Sequence, residues 1–184
     1  MKVYSTKQIR DSVAHICKKY GDTYWRALDK GKKYPSEFVK EMTDSGFLNV
    51  LIPEEFGGSG LGLIDACAVL EEISLNGAHA GACHAQMYVM GSILRHGTEE
   101  QKAKFLPKIS AGKLRLQSFA VTEPNSGTDT TNIKTFAEKT NSGWKVNGQK
   151  VWISRVEYSD LMLLLARTTP IEKVKKKTDG ISAF

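Results

Sequence analysis

Long apolar runs are missing from this chain of 184 residues. None nears the ~18–20 consecutive apolar residues that a membrane-crossing helix needs, so no membrane association is expected. Cysteine is scarce: Cys17, Cys67 and Cys83 form an odd set without paired spacing, which argues against a disulfide framework. Histidine is scarce too. His79 and His84 are five residues apart, so a helix would not align them as i,i+4 ligands, and His15 and His96 complete no metal pattern. A reduced, cytoplasmic protein with no metal site is expected. The opening stretch "MKVYSTKQIRDSV" is charged and periodic, unlike the apolar core of a secretory signal.

What is present is average in amount. The chain is 41% hydrophobic and 25% charged, with a length that suits one or two small domains with a real core. The net charge of +6 owes much to Lys173, Lys175, Lys176 and Lys177. No aromatic residue is interleaved with them, so they read as a solvated loop and no nucleic-acid partner is expected.

Periodicity divides the chain. Ile9, Val13, Ile16 and Tyr20 recur at helical spacing before Gly21. "SEFVKEMTDSGF" reads as a short helix closed by Gly46, and Pro53 with several glycines marks a break over 48–62. Helices are predicted over 62–75, over 79–95 (buried on more than one side), and after the capping-box pair Thr98 and Gln101. After Gly112 the period changes to two. "LRLQSFAV", "TNIKTFAEKT" and "GWKVNGQKVWIS" alternate, Asn147-Gly148 signals a hairpin, and "LMLLLA" reads as a strand buried on both faces. The expected class is α+β: an all-helical domain over 1–112, then an incomplete antiparallel β-barrel or sandwich domain over 113–184.

Two glycine loops mimic phosphate binders. "GGSGLG" at 57–62 lacks the G-x-G-x-x-G spacing, and "GWKVNGQK" has Gln149 where a P-loop needs lysine. The turn "FAVTEPNSGTD" over 119–129 is a better candidate. It can gather backbone N–H groups into a concavity, Thr122 and Thr128 add hydroxyls, and Gly127 permits positive φ and close approach. In "QKVWIS" the strand period sets Trp152 on one face with Lys150 and Ser154. An indole on a polar face needs cover, either from a neighbouring helix or loop or from a flat ligand.

"FAVTEPNSGTD", "GWKVNGQKVWIS" and "DLMLLLART", with "IPEEFGG" and "HGTEEQKAKFLPKISAGK" upstream, resemble the acyl-CoA dehydrogenase family over nearly the whole chain. The resemblance implies a helical N-terminal domain, a middle β domain and a C-terminal four-helix domain. It implies FAD as cofactor, oxidation of acyl-CoA thioesters to 2-enoyl-CoA, an electron acceptor such as an electron-transfer flavoprotein, and a homo-oligomeric parent. The first flavin segment would be Phe119, Ala120, Val121, Thr122, Glu123, Pro124, Asn125, Ser126, Gly127 and Thr128. Val121 and Thr122 would face the ring, Gly127 and Thr128 the pyrophosphate, and Thr128 also the thioester ligand. Trp152, Ile153 and Ser154 match the second segment. His84, Met87 and Tyr88 would wall the acyl pocket. Asn125 replaces a commoner small residue, Thr128 a commoner Ser, and Arg155-Val156 stands where Asn-Gly is frequent.

In the family the catalytic Glu lies in the C-terminal domain, so no catalytic residue is assigned within this chain, and the chain alone is expected to be inactive. Glu123 sits in the cradle but reads as structural, and Glu71 and Glu72 as solvated helix carboxylates. Two alternatives stay open: a related flavin hydroxylase or nitroalkane oxidase fragment, and a non-catalytic module acting through a protein partner.

Overall fold

The computed structural model describes residues 5–184. They form two compact units that divide between Leu116 and Gln117. The division falls a few residues beyond the expected 112/113 boundary for a local reason. Arg115 Nη1 donates to Thr43 Oγ1 at 3.2 Å, and the Leu116 amide donates to Gln86 Oε1 at 3.3 Å, so both residues belong with the helices.

The first unit is helical: α1 (Thr6–Cys17), α2 (Asp22–Gly31), α3 (Ser36–Asp44), α4 (Leu63–Leu75), α5 (Gly81–His96) and α6 (Glu99–Ser110). Ser5 and Gln8 cap α1 reciprocally, as Thr98 and Gln101 cap α6. Helix α1 buries Ile9, Val13, Ile16 and Cys17 on one stripe. Phe38, Val39 and Met42 of α3, Val69 and Ile73 of α4, and Cys83 and Met87 of α5 join them in one core. Helix α2 was not foreseen. It buries no residue fully, and Tyr24 and Trp25 pack partly against the core.

The second unit is built on a five-stranded sheet. Its strands are β1 (Leu116–Ala120), β2 (Phe136–Thr140), β3 (Gly143–Asn147), β4 (Leu161–Arg167) and β5 (Ile181–Ala183). The order is β1-β4-β2-β3, with β5 also on β4. The sheet is mixed rather than wholly antiparallel, because β2 runs parallel to β4 with Phe136 opposite Arg167. Strand β2 pairs with β3, and β4 with β5, in antiparallel fashion.

Two strand expectations fail. The β2–β3 hairpin turns at Asn141-Ser142, since Thr140 pairs with Gly143 and Phe136 with Asn147. Asn147-Gly148 ends β3 instead, with the Gly148 backbone packed against Thr135, where a Cβ would meet the Thr135 Cα at 2.6 Å. Strand β4 is buried only at its far end, at Ala166 and Arg167, while Leu161 and Met162 are exposed.

Arg167 is 3% exposed. Four carbonyls receive its guanidinium: Ile133 (3.2 Å), Asp179 (3.2 Å), Thr131 (2.5 Å) and Lys177 (2.7 Å). That single side chain ties the segment after the 119–129 turn to the lysine-rich loop before β5.

Candidate functional site

Strand β1 ends at Ala120 and delivers the chain into a tight turn. The Glu123 amide donates to the Ser126 carbonyl at 2.9 Å, and the Ser126 amide returns the bond at 3.1 Å. Ser126 is buried and its Oγ donates to the Asp129 carbonyl at 2.6 Å, so this hydroxyl serves the turn itself. Pro124, Asn125, Gly127 and Thr128 are exposed along its outer side. Gly127 is not among the positive-φ glycines, contrary to expectation. What glycine supplies there is bare backbone, because an added Cβ would meet no protein atom within 4 Å. The space beside Gly127 is therefore open to an incoming group.

Residues 149–154 form no strand, so the assignment of Trp152 to a strand face with Lys150 and Ser154 does not hold. The segment is held by side chains and single bonds instead. The Val151 amide donates to the Thr122 carbonyl at 2.9 Å. Lys150 Nζ donates to the Val121 carbonyl at 2.9 Å, and Ser118 Oγ donates to the Ser154 carbonyl at 3.1 Å. These contacts lay 150–154 alongside 118–122 in opposite direction, which brings the two predicted segments together.

Between the anchors at Val151 and Ser154, the backbone of Trp152 takes φ 61°, a left-handed conformation that a bulky residue enters only at a cost. Its side chain is not covered: Trp152 is 89% exposed. Among the described residues no helix or loop packs over it. The exposed indole leaves a large apolar surface uncovered among the described residues. Phe119, Val121, Thr122 and Ile153 are half-buried, Ala120 is buried, and Ser154 is exposed.

Glu123 points inward. Its carboxylate accepts the Lys134 amide at 2.6 Å, the Thr135 amide at 2.9 Å and the Lys150 ammonium at 2.9 Å. Burial would push this carboxyl up, but the surrounding donors outweigh burial and hold it at about 2. It is an ionised structural anchor held by donors of the chain itself. Lys150 was read from the sequence only as a face neighbour of Trp152. Its partners lie 27 and 29 residues away, so no local pattern reveals the pair.

The proposed acyl wall is divided by the fold. His84 and Tyr88 are exposed one turn apart on α5, with ring centres 4.9 Å apart. Met87 is 3% exposed and belongs to the helical core, so it presents nothing at the surface. None of the three lines the groove of about 690 Å³ that runs along α1 past His15, Lys19 and Glu41. Glu71 and Glu72 both pair with Arg10 and are not set in a site. Among the described residues no cluster of His, Cys, Asp and Glu could hold a metal ion, and no helix is long and apolar enough to cross a membrane.

Known proteins match both units. Residues 5–113 match the acyl-CoA dehydrogenase N-terminal domain, and residues 118–184 match the middle domain. Acyl-CoA dehydrogenase FadE12 of Mycobacterium tuberculosis is 36% identical over 163 residues, covering 87% of this chain and 41% of that protein. The solved acyl-CoA dehydrogenase of Geobacillus kaustophilus superposes with a TM-score of 0.88 at 30% identity, covering 99% of this chain and 48% of that one. The glutaryl-CoA dehydrogenase of Mycobacterium smegmatis, solved in complex with FADH2, gives 0.83 at 26% identity, covering 97% of this chain and 44% of that one. The chain thus spans less than half the length of these relatives. With both domains matched in order, and the bare turn and the exposed indole brought side by side within the second, the chain belongs to the acyl-CoA dehydrogenase family.

Proposed function

We propose that this chain supplies the flavin-facing part of an FAD-dependent acyl-CoA dehydrogenase, which oxidises the α,β-bond of an acyl-CoA thioester. The observation that carries the reading is Trp152, exposed and left-handed, anchored through Val151 to the bend at Thr122. The smaller features fit the same ligand. Gly127 leaves room for a pyrophosphate against bare backbone, and Thr128 beside it offers an exposed hydroxyl. Thr122 and Val121 stand half-buried where a ring edge would lie. When bound, FAD supplies the hydride acceptor for the substrate Cβ.

The residues of this chain bind, orient and shield; the base comes from elsewhere. Glu123 is held by three donors with its carboxyl at about 2, too weak a base to accept a substrate α-proton near neutral pH. Glu71 and Glu72 are engaged by Arg10. From the family reading, we propose that the catalytic carboxylate is supplied from outside these 184 residues. His84 and Tyr88 are the side chains proposed to contact the acyl tail, with Met87 supporting them from the core. An electron-transfer flavoprotein as acceptor and a homo-oligomeric parent follow from the family reading. The three free thiols suit a reducing compartment such as the cytoplasm.

Turnover of an acyl-CoA series with an artificial electron acceptor tests the division of labour. The 184-residue chain is expected to show none. Robust turnover by the chain alone would place a base within it and overturn this reading.

A further inference from the structure

We propose that the buried Glu123–Lys150 pair is a positioning device that presents Trp152 to the flavin, an inference that rests on the flavin reading above. The segment 149–154 forms no strand, so the ladder of the sheet does not fix it. Two residues before the indole stands Lys150, whose side chain is 9% exposed against 6% for that of Glu123. Its ammonium reaches two acceptors of the other segment, the Val121 carbonyl and Glu123 Oε1, both at 2.9 Å. The next residue adds the Val151 amide to Thr122 carbonyl bond, also at 2.9 Å.

Glu123 is itself immobilised, because the amides of Lys134 and Thr135 hold both its oxygens. A Lys side chain is long and flexible, and its head is placed here only because the acceptors are fixed. Charge is what makes the register specific. A one-residue slip of 150–154 would take the ammonium from its acceptors and leave the buried carboxylate with neutral backbone donors only, which is costlier than losing a neutral bond. The pair therefore selects one setting of Trp152 relative to Thr122, including the left-handed backbone that turns the indole outward.

The test is a double-mutant cycle on FAD binding by the 184-residue chain, combined with amide exchange that needs no flavin. Lys150→Met is expected to weaken FAD binding at least tenfold, and Lys150→Arg to retain most of it. In a Trp152→Ala background, the loss caused by Lys150→Met should shrink to under threefold, because the indole it positions is gone. Without FAD, Lys150→Met should speed exchange at the Val151 and Trp152 amides at least tenfold and leave the β2–β3 hairpin unchanged. If Lys150→Met does not fold, the neutral pair Glu123→Gln with Lys150→Met replaces it in every arm. Equal losses in both Trp152 backgrounds would show a general structural role and overturn the proposal, as would unchanged exchange at Val151. A native chain that takes up no FAD would count against the flavin reading alone, and the exchange arm would still decide the role of the pair.

Discussion

At the scale of single residues, backbone strain is concentrated in one place. Three described residues other than glycine have positive φ, and two of them lie together, Trp152 within the second segment and Arg155 directly after it. Arg155 sits at φ 62°, ψ 26°, where Asn or Gly is at less cost. This gives a physical meaning to the departure from the frequent Asn-Gly step after "WIS". Arg155→Gly is expected to stabilise the second unit by about 0.5–1 kcal/mol in urea unfolding, since it relieves a left-handed backbone. Destabilisation would show that the Arg155 side chain holds more than its conformation costs.

Glu123 predicts a pH dependence of definite sign. A carboxyl held at about 2 in the folded chain and near ~4.3 unfolded contributes up to about 3 kcal/mol. That stability is fully present above the unfolded value and is lost as pH falls through the folded one. The gap in unfolding free energy between the native chain and Glu123→Gln should be constant from pH 7 to 5 and close between roughly pH 4 and 2. A gap that stayed constant down to pH 2 would contradict the ionised anchor.

Elements were legible where the signal was local. The capping box at Thr98 marks the start of α6, and the stripe of Ile9, Val13 and Ile16 marks the buried face of α1, from neighbouring residues alone. The β hairpin shows the opposite case. Asn147-Gly148 has the stronger turn signature, yet the chain reverses at Asn141-Ser142. Close packing of the Gly148 backbone on Thr135, twelve or more residues away in sequence, decides what that glycine is for. Gly148→Ala should therefore cost about 2–4 kcal/mol through overpacking, read as a lowered unfolding midpoint. In the helical unit, Gly58→Ala should be as severe, because a Cβ there collides with the backbone of Ile52. A Gly58→Ala chain with an unchanged midpoint would mean that the 48–62 break is loosely held.

For the whole molecule, fold class could be read from the sequence, and the way the 118–122 and 150–154 segments meet could not. Thr122 and Trp152 are visible as separate motifs, but the bonds that join them run through Val151, Lys150 and Ser118 across the chain. Periodicity assigned 149–154 to a strand because alternation persists there, while the structure spends that alternation on an irregular run with one residue turned out. Met87 was misplaced for a similar reason: α5 is apolar on several faces, so its sequence does not say which residues reach the surface.

Amide exchange of the 184-residue chain with and without FAD tests the central claim most directly, namely that the bend after Val121 and the segment around Trp152 are two sides of one flavin site. The account predicts that FAD slows exchange together over 119–128 and 150–154. Slowing at other segments with these two unchanged, or at one of them without the other, would contradict it.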